Sequence, residues 1–405
     1  MIALVVLFLL ALALTGVVIQ TGRGDDLSQL LFPKDESEET DSTAGGSEED
    51  SSVSVEIERA DQQEREEARL RLLAETKAES MTLEEKVGQL FLGRYPGWDQ
   101  AVRDAEAYHL GGYVLFAADF SGLSADEVRQ KIDDAQAAAS IPLIMAVDEE
   151  GGTVVRVSQY FRDYAFQSPR DIFAEGGYEA IELDTQEKCE LLLSLHLNVN
   201  LAPVCDLSDN PSDFMYERAF SGDAESASEF VRRVVSIMNE YGVGSSLKHF
   251  PGYGANLDTH VGTSVDSRKA SEFYDNDLKV FEAGIEAGAG AVLVSHNIVN
   301  CFDAENPASL SPAVHELLRE ELDFDGVIMT DDLAMDAISV SLGLEAGEIA
   351  VRAVEAGNDL LISSDYETQY AAVLRAVQDG RLSEEAITES VVRVLIYKEK
   401  LGLLS

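Results

Sequence analysis

From Met81 onward the chain repeats one unit: a short apolar run rich in β-branched residues, a polar or glycine stop, then a helical stretch. Eight of these runs read as strands, over 87–93, 113–116, 142–148, 199–204, 244–249, 291–296, 326–331 and 359–363. Helical patterns fall between them, over 124–139, 226–241, 271–287, 312–321, 344–356 and 366–379. Regular alternation of this kind calls for parallel strands joined by helical crossovers, and eight units close on themselves as a (β/α)8 barrel. The expected class is therefore α/β, with a single TIM-type barrel over 81–405. An open doubly wound sheet is the alternative, but the glycine-rich GxGxxG turn that opens a dinucleotide fold is missing.

Three segments precede the barrel. Residues 1–19 are an uninterrupted apolar run without a charged side chain, long enough to cross a bilayer as a helix. No basic residue precedes it, so 1–20 is expected to be an uncleaved signal anchor, with a cleaved signal peptide as the alternative. The barrel is then expected to be extracytoplasmic, anchored to the cell membrane, or secreted if cleavage occurs. Residues 21–55 form an acidic, Ser- and Gly-rich linker whose composition cannot bury a core, so disorder is expected. Over 56–80, alternating Glu and Arg around Leu70, Leu72 and Leu73 predict a charged helix.

Charge excludes one large class of partners. The chain carries 75 acidic and 30 basic residues, a formal net charge of -45. Residues 24–58 hold 12 acids and one base, so most of the excess belongs to the folded part. A surface of this sign repels phosphate backbones, and no nucleic-acid partner is expected. Cys189, Cys205 and Cys301 are far apart in sequence, form no CxxC pair, and are expected to be buried free thiols.

In a parallel barrel the site lies at the carboxyl ends of the strands. Five ends are polar in the same way: Asp148-Glu149-Glu150-Gly151-Gly152, Val204-Cys205-Asp206, Lys248-His249-Phe250-Pro251-Gly252, Ser295-His296-Asn297 and Thr330-Asp331-Asp332. Five such clusters at one end of one barrel point to a polar pocket. His249, His260 and His296 show no HxH or HxxxH spacing, so no metal is expected. Carboxylates opposed by histidines fit glycosidic-bond hydrolysis. That reaction needs one group to protonate the leaving oxygen and another to attack the anomeric carbon or activate water. Asp331 is the candidate attacking carboxylate, and the Asp258-Thr259-His260 turn is the candidate acid/base, with a surface Asx-turn as its alternative reading.

The motifs together resemble glycoside hydrolase family 3, in its β-N-acetylglucosaminidase branch. The resemblance runs over about 81–401 and is carried by EKVGQLF from Glu85, DEEGGTVVR from Asp148, NLAPVCDLS from Asn200 and ERAFSGD from Glu217. It continues through KHFPGYGANLDTH from Lys248, PASLSP from Pro307 and FDGVIMTDDLAM from Phe324. It implies that Asp331 is the nucleophile, that Asp258 and His260 form the acid/base dyad, and that Asp148, Arg156, Arg218, Lys248 and His249 bind the first sugar. It implies no metal or organic cofactor. Tyr253 stands where the family motif usually has His, Thr153 where Arg is common, and Ala219 where Ser is common. Ser405 follows the last barrel helix directly, as expected for the single-domain branch in which the dyad loop supplies the acid/base.

The implied activity is retaining hydrolysis of terminal β-linked N-acetylglucosamine, from muropeptides or chitin-type oligosaccharides, by a monomer. The alternatives are a β-N-acetylglucosaminide phosphorylase, a β-glucosidase or β-xylosidase, and an inactive surface sugar-binding protein.

Overall fold

A computed structural model of the chain describes residues 48–255, 264–339 and 342–404. One compact unit spans Glu64–Ser405. The other, Met1–Gln63, is described only over 48–63, as the first part of a helix that runs Glu48–Glu79. This helix starts inside the segment expected to be a linker, eight residues before the expected position 56. The segment 1–20, expected as a membrane anchor, lies outside the described residues. Among the described residues no helix is long and apolar enough to cross a membrane.

The described residues form ten strands: β1 Phe91–Arg94, β2 Gly112–Leu115, β3 Ile144–Val147, β4 Val199–Asn200, β5 Gly244–Phe250, β6 Val265–Asp266, β7 Ala291–Val294, β8 Ile298–Val299, β9 Val327–Thr330 and β10 Leu361–Ser363. Eight of them form one parallel sheet in the order β10-β1-β2-β3-β4-β5-β7-β9. The two edges of that order meet. Asp359 and Leu360 donate to the Ile328 carbonyl at 2.8 and 3.1 Å, and Thr330 donates to the Leu360 carbonyl at 3.1 Å. The barrel expected from the sequence is thus nearly closed. Strands β6 and β8 pair separately beyond its carboxyl rim.

Side-chain alternation builds two cores. Leu92, Val114, Ile144, Ala146, Val199, Ala291, Leu293, Val327, Met329 and Ile362 fill the inside of the barrel. Their neighbours Phe91, Tyr113, Leu115, Met145, Val147, Val292, Val294, Ile328 and Leu361 pack outward under the helices. A strand buried on both faces reads as a continuous apolar run, which is why most strands were visible in the sequence.

Three of the elements that differ from expectation have a local explanation. The run over 87–93 is not one strand: Leu83–Gln89 is a helix, and the strand starts at Phe91. Thr82 caps this helix by accepting from the Glu85 backbone at 3.2 Å, and the Glu85 carboxylate accepts from the Thr82 backbone at 2.8 Å. That capping box outweighs the β-branched look of the run. The fourth strand stops at Asn200 instead of 204: Ala202 donates back to the Asn200 carbonyl at 2.8 Å, and Pro203 has no N–H to continue a ladder. The helix over 271–287 is broken by a π turn, Phe273–Asp277, before continuing as Leu278–Glu286. Of the three cysteines, Cys189 and Cys205 are buried and Cys301 is half-buried; all are free.

Candidate active site

The carboxyl ends of β3, β4 and β5 hold a connected set of charged side chains. Lys248, on β5, lies 2.6 Å from both Asp148 Oδ1 and Glu150 Oε1, and its side chain is 2% exposed. Arg218, from the segment after β4, donates to Glu150 through Nε at 2.9 Å and Nη2 at 2.7 Å. The same Nη2 stands 3.2 Å from His249 Nε2. An arginine only donates, so His249 Nε2 offers its lone pair and the ring proton sits on Nδ1. Nδ1 in turn lies 2.7 Å from Asp206 Oδ2.

Local backbone explains how consecutive residues share this site. Along β3 and its extension, Asp148 and Glu150 point to Lys248, while Glu149 turns away. The Glu149 carboxylate accepts from the backbone of Arg156 and Val157 at 2.7 Å each and from the Ser158 hydroxyl, so it shapes the turn that presents Arg156. On β5 the pairing register shifts between Lys248 and Phe250. That irregularity lets the neighbours Lys248 and His249 both reach the site. Asp206 secures the next residues as well, since its Oδ1 accepts from the Tyr253 backbone at 2.6 Å. The Tyr253 ring meets His249 edge-on, with centroids 5.5 Å apart.

The buried charges balance. Burial alone would raise the Glu150 carboxyl, but Arg218 and Lys248 overcome it and hold the group well below the usual carboxylate range. Burial alone would lower Lys248, but Asp148 and Glu150 outweigh it and keep the ammonium above its ordinary value. Arg218 is raised in the same sense, against the opposing effect of its burial. Asp148 and Arg156 remain nearer solvent, with side-chain exposures of 17% and 24%. Arg156 Nη2 stands 3.9 Å from Asp148 Oδ2, beyond a hydrogen bond, and its buried Nε has no partner among the described residues. Both groups therefore keep hydrogen-bonding capacity for a bound molecule. The Arg156 guanidinium also lies over the Phe116 ring, 5.4 Å from its centroid.

Asp331 follows Thr330, the last residue of β9, on the same rim. Its backbone donates to the Val294 carbonyl at 3.1 Å, and its Oδ1 accepts from the Asp332 backbone at 2.8 Å. The neighbouring carboxylate has a different task. Asp332 accepts from the backbone of Ala334 at 2.9 Å and Ser364 at 3.2 Å, and from the Ser364 hydroxyl, which ties the end of β9 to the end of β10. His296 supports this turn, with Nε2 donating to the Asp332 carbonyl at 3.0 Å.

The structure thus brings Asp148, Arg156, Arg218, Lys248 and His249 together, and places Asp331 on their rim. Asp258 and His260 lie outside the described residues. Glu150 and Asp206 were not singled out from the sequence, although both stood in polar strand ends. Their signal is burial: each is an acid almost fully removed from solvent. Among the described residues, no three His, Cys, Asp or Glu side chains gather as a metal ion would need.

Residues 82–396 match the glycosyl hydrolase family 3 N-terminal domain. A curated relative, a beta-hexosaminidase of Xanthomonas oryzae pv. oryzae, is 34% identical over 284 residues, covering 69% of this chain and 83% of the relative. A solved glycoside hydrolase family 3 beta-N-acetylglucosaminidase from Paenibacillus sp. str. FPU-7 is similar with a TM-score of 0.75 at 32% identity, over 80% of this chain. The chain spans only 64% of that neighbour's length. A beta-N-acetylhexosaminidase from Beutenbergia cavernae is similar with a TM-score of 0.69 at 28% identity, over 79% of this chain and 99% of that one.

Proposed function

Because the chain belongs to glycosyl hydrolase family 3 and is a glycoside hydrolase, we propose that it is a retaining β-N-acetylhexosaminidase that removes terminal β-linked N-acetylglucosamine. The observation that carries this reading is the charge-balanced array Asp148, Lys248, Glu150 and Arg218 at the carboxyl rim. A neutral sugar offers hydroxyls that donate and accept but no charge. It is matched by directional partners in a locally neutral pocket. Asp148 accepts from sugar hydroxyls, Arg156 contributes further donors, and Arg218, Lys248 and His249 hold the set in place. The names of the similar proteins support the N-acetylhexosaminide specificity.

The mechanism has two steps. In the first, Asp331 attacks the anomeric carbon while the His260 imidazolium, held by Asp258, gives its proton to the leaving oxygen. The glycosidic C–O bond breaks and a glycosyl-aspartate forms. In the second, neutral His260 takes a proton from water, the water oxygen attacks the same carbon, and Asp331 leaves as a carboxylate. Two inversions return the β-anomer. The apolar run 1–19 supports attachment to a membrane with the barrel outside the cell. That setting favours muropeptides over chitin fragments as the natural substrate.

The test is substrate preference with stereochemistry. The full chain is incubated with purified muropeptides, chitobiose, an aryl β-N-acetylglucosaminide and the matching aryl β-glucoside, with and without phosphate. The sugar first released is then followed by proton NMR. Release of β-N-acetylglucosamine, selective over glucose and independent of phosphate, is expected. An α-anomer, a sugar phosphate or preferred release of glucose contradicts the reading.

A further inference from the structure

Arg268 has a set of partners that the reaction above does not use. Its Nε donates to Asp266 Oδ2 at 2.9 Å, and its Nη2 lies 2.8 Å from the same oxygen. Its Nη1 donates to both oxygens of Asp277, at 3.1 and 2.9 Å. Its Nη2 also donates to the Gly252 carbonyl at 3.1 Å. The guanidinium plane is backed by the Phe273 ring, 4.1 Å away. One side chain thus joins the end of β5, strand β6 and the π turn Phe273–Asp277. Gly252 and Asp266 are the stems of the segment that carries Asp258 and His260.

The surroundings are cut to fit this clamp. A Cβ at Gly252 would stand 2.1 Å from Asp277 Oδ1, and Gly252 has a φ of 122°. A Cβ at Gly254, φ 57°, would stand 2.8 Å from the Arg268 guanidinium carbon. Only glycine meets both demands at these positions. The π turn adds one residue to its helix and brings Asp277, 2% exposed, under the first stem. The stems have further supports: Asp206 holds the Tyr253 backbone at 2.6 Å, and Val265 and Asp266 pair with Ile298 and Val299. Arg268 bonds to both stems at once.

We propose that Arg268, braced by Asp277, is a positioning residue for acid/base catalysis: it fixes the two stems so that the His260 proton is delivered to the leaving oxygen. The proposal rests on the reading of Asp258 and His260 given above. A fixed span between the stems shortens the list of arrangements open to the residues between them. Proton transfer is sensitive to such placement, because acid and leaving oxygen must come within hydrogen-bond reach. Lysine cannot replace the arginine, since a single ammonium does not supply a planar fork with a distinct edge for each partner.

Two substrates separate this role from general support of the fold. A dinitrophenyl β-N-acetylglucosaminide expels its leaving group without a proton, whereas chitobiose needs one. Values of kcat/KM for both report only the steps up to the glycosyl-enzyme. Arg268→Lys and Asp277→Asn are measured beside His260→Ala. Arg268→Lys is expected to lose about tenfold or more on chitobiose and to stay within about threefold on the dinitrophenyl sugar. Asp277→Asn is expected to follow in the same direction and supplies the test if Arg268→Lys folds poorly. His260→Ala is expected to show the same selectivity more strongly. Equal losses on both substrates in the Arg268 and Asp277 variants, with a selective loss in His260→Ala, overturn the clamp alone. No selectivity in His260→Ala overturns the dyad reading and the clamp with it.

Discussion

Asp206 holds His249 at two points: Oδ2 is 2.7 Å from the ring Nδ1 and accepts from the His249 backbone at 3.1 Å. The carboxylate fixes the ring proton on Nδ1 and leaves Nε2 as the acceptor that Arg218 meets. Asp206→Asn cannot keep this arrangement, because Oδ1 also accepts from the Tyr253 backbone, and an amide has only one acceptor oxygen. Loss of one charged hydrogen bond corresponds to about 1.5–3 kcal/mol. The expected result is a fall in kcat/KM of about 10- to 100-fold, measured on an aryl β-N-acetylglucosaminide.

Glu150 is the anion between two buried cations. Glu150→Gln leaves Lys248 and Arg218 without that charge and is expected to destabilise the fold by about 3–5 kcal/mol, read by urea unfolding at neutral pH. The pH dependence has a definite sign. The folded pKa lies below the ordinary 4.5, so the carboxylate's contribution is complete above about 4.5 and is lost as pH falls toward the folded value. The stability gap between wild type and Glu150→Gln should therefore narrow as pH drops below about 4.5. A gap that widens contradicts the assignment.

Asp331 and Asp332 are adjacent carboxylates with separable effects. Asp332→Ala removes the contacts to Ala334 and Ser364. It is expected to lower stability by about 1–3 kcal/mol while leaving measurable turnover. Asp331→Asn removes the proposed attacking group and is expected to lower kcat by about 10³-fold or more. Thermal melts and initial rates on the two variants give both readings.

Lys398 is buried with Gln89 Oε1 as its hydrogen-bond partner at 2.7 Å. Burial pushes its pKa down to about 7. Between about pH 7 and the ordinary 10.5, the unfolded chain binds a proton that the folded chain does not, so wild-type stability rises with pH across that window. Lys398→Met removes this dependence. Its stability relative to wild type should be highest at or below about pH 7 and decline as pH approaches about 10, in unfolding curves taken across that range.

Much of this architecture is legible in the sequence because parallel strands are buried on both faces and read as unbroken apolar runs. The first strand was misplaced where Thr82 and Glu85 form a capping box ahead of Val87, a local signal that favours a helix. Strand-end position put Asp148, Lys248 and His249 in polar clusters, and the family resemblance singled them out of those clusters. Position could not separate members of a polar run by task. Asp148 and Glu150 reach Lys248, while Glu149 turns back to cap its own loop; Asp331 and Asp332 divide in the same way. Glu150 and Asp206 act through other side chains, so their roles appear only when β3, β4 and β5 are set side by side. The Arg268–Asp277 pair depends on a π turn that helical periodicity does not announce.

The central claim is that Asp331 becomes covalently bonded to the sugar. Its most direct test is trapping with a fluorinated N-acetylglucosaminide that slows release of the glycosyl-enzyme, followed by proteolysis and mass spectrometry of the labelled peptide. A single glycosyl adduct on the peptide containing Asp331, absent from Asp331→Asn, is the predicted result. An adduct on any other residue contradicts it.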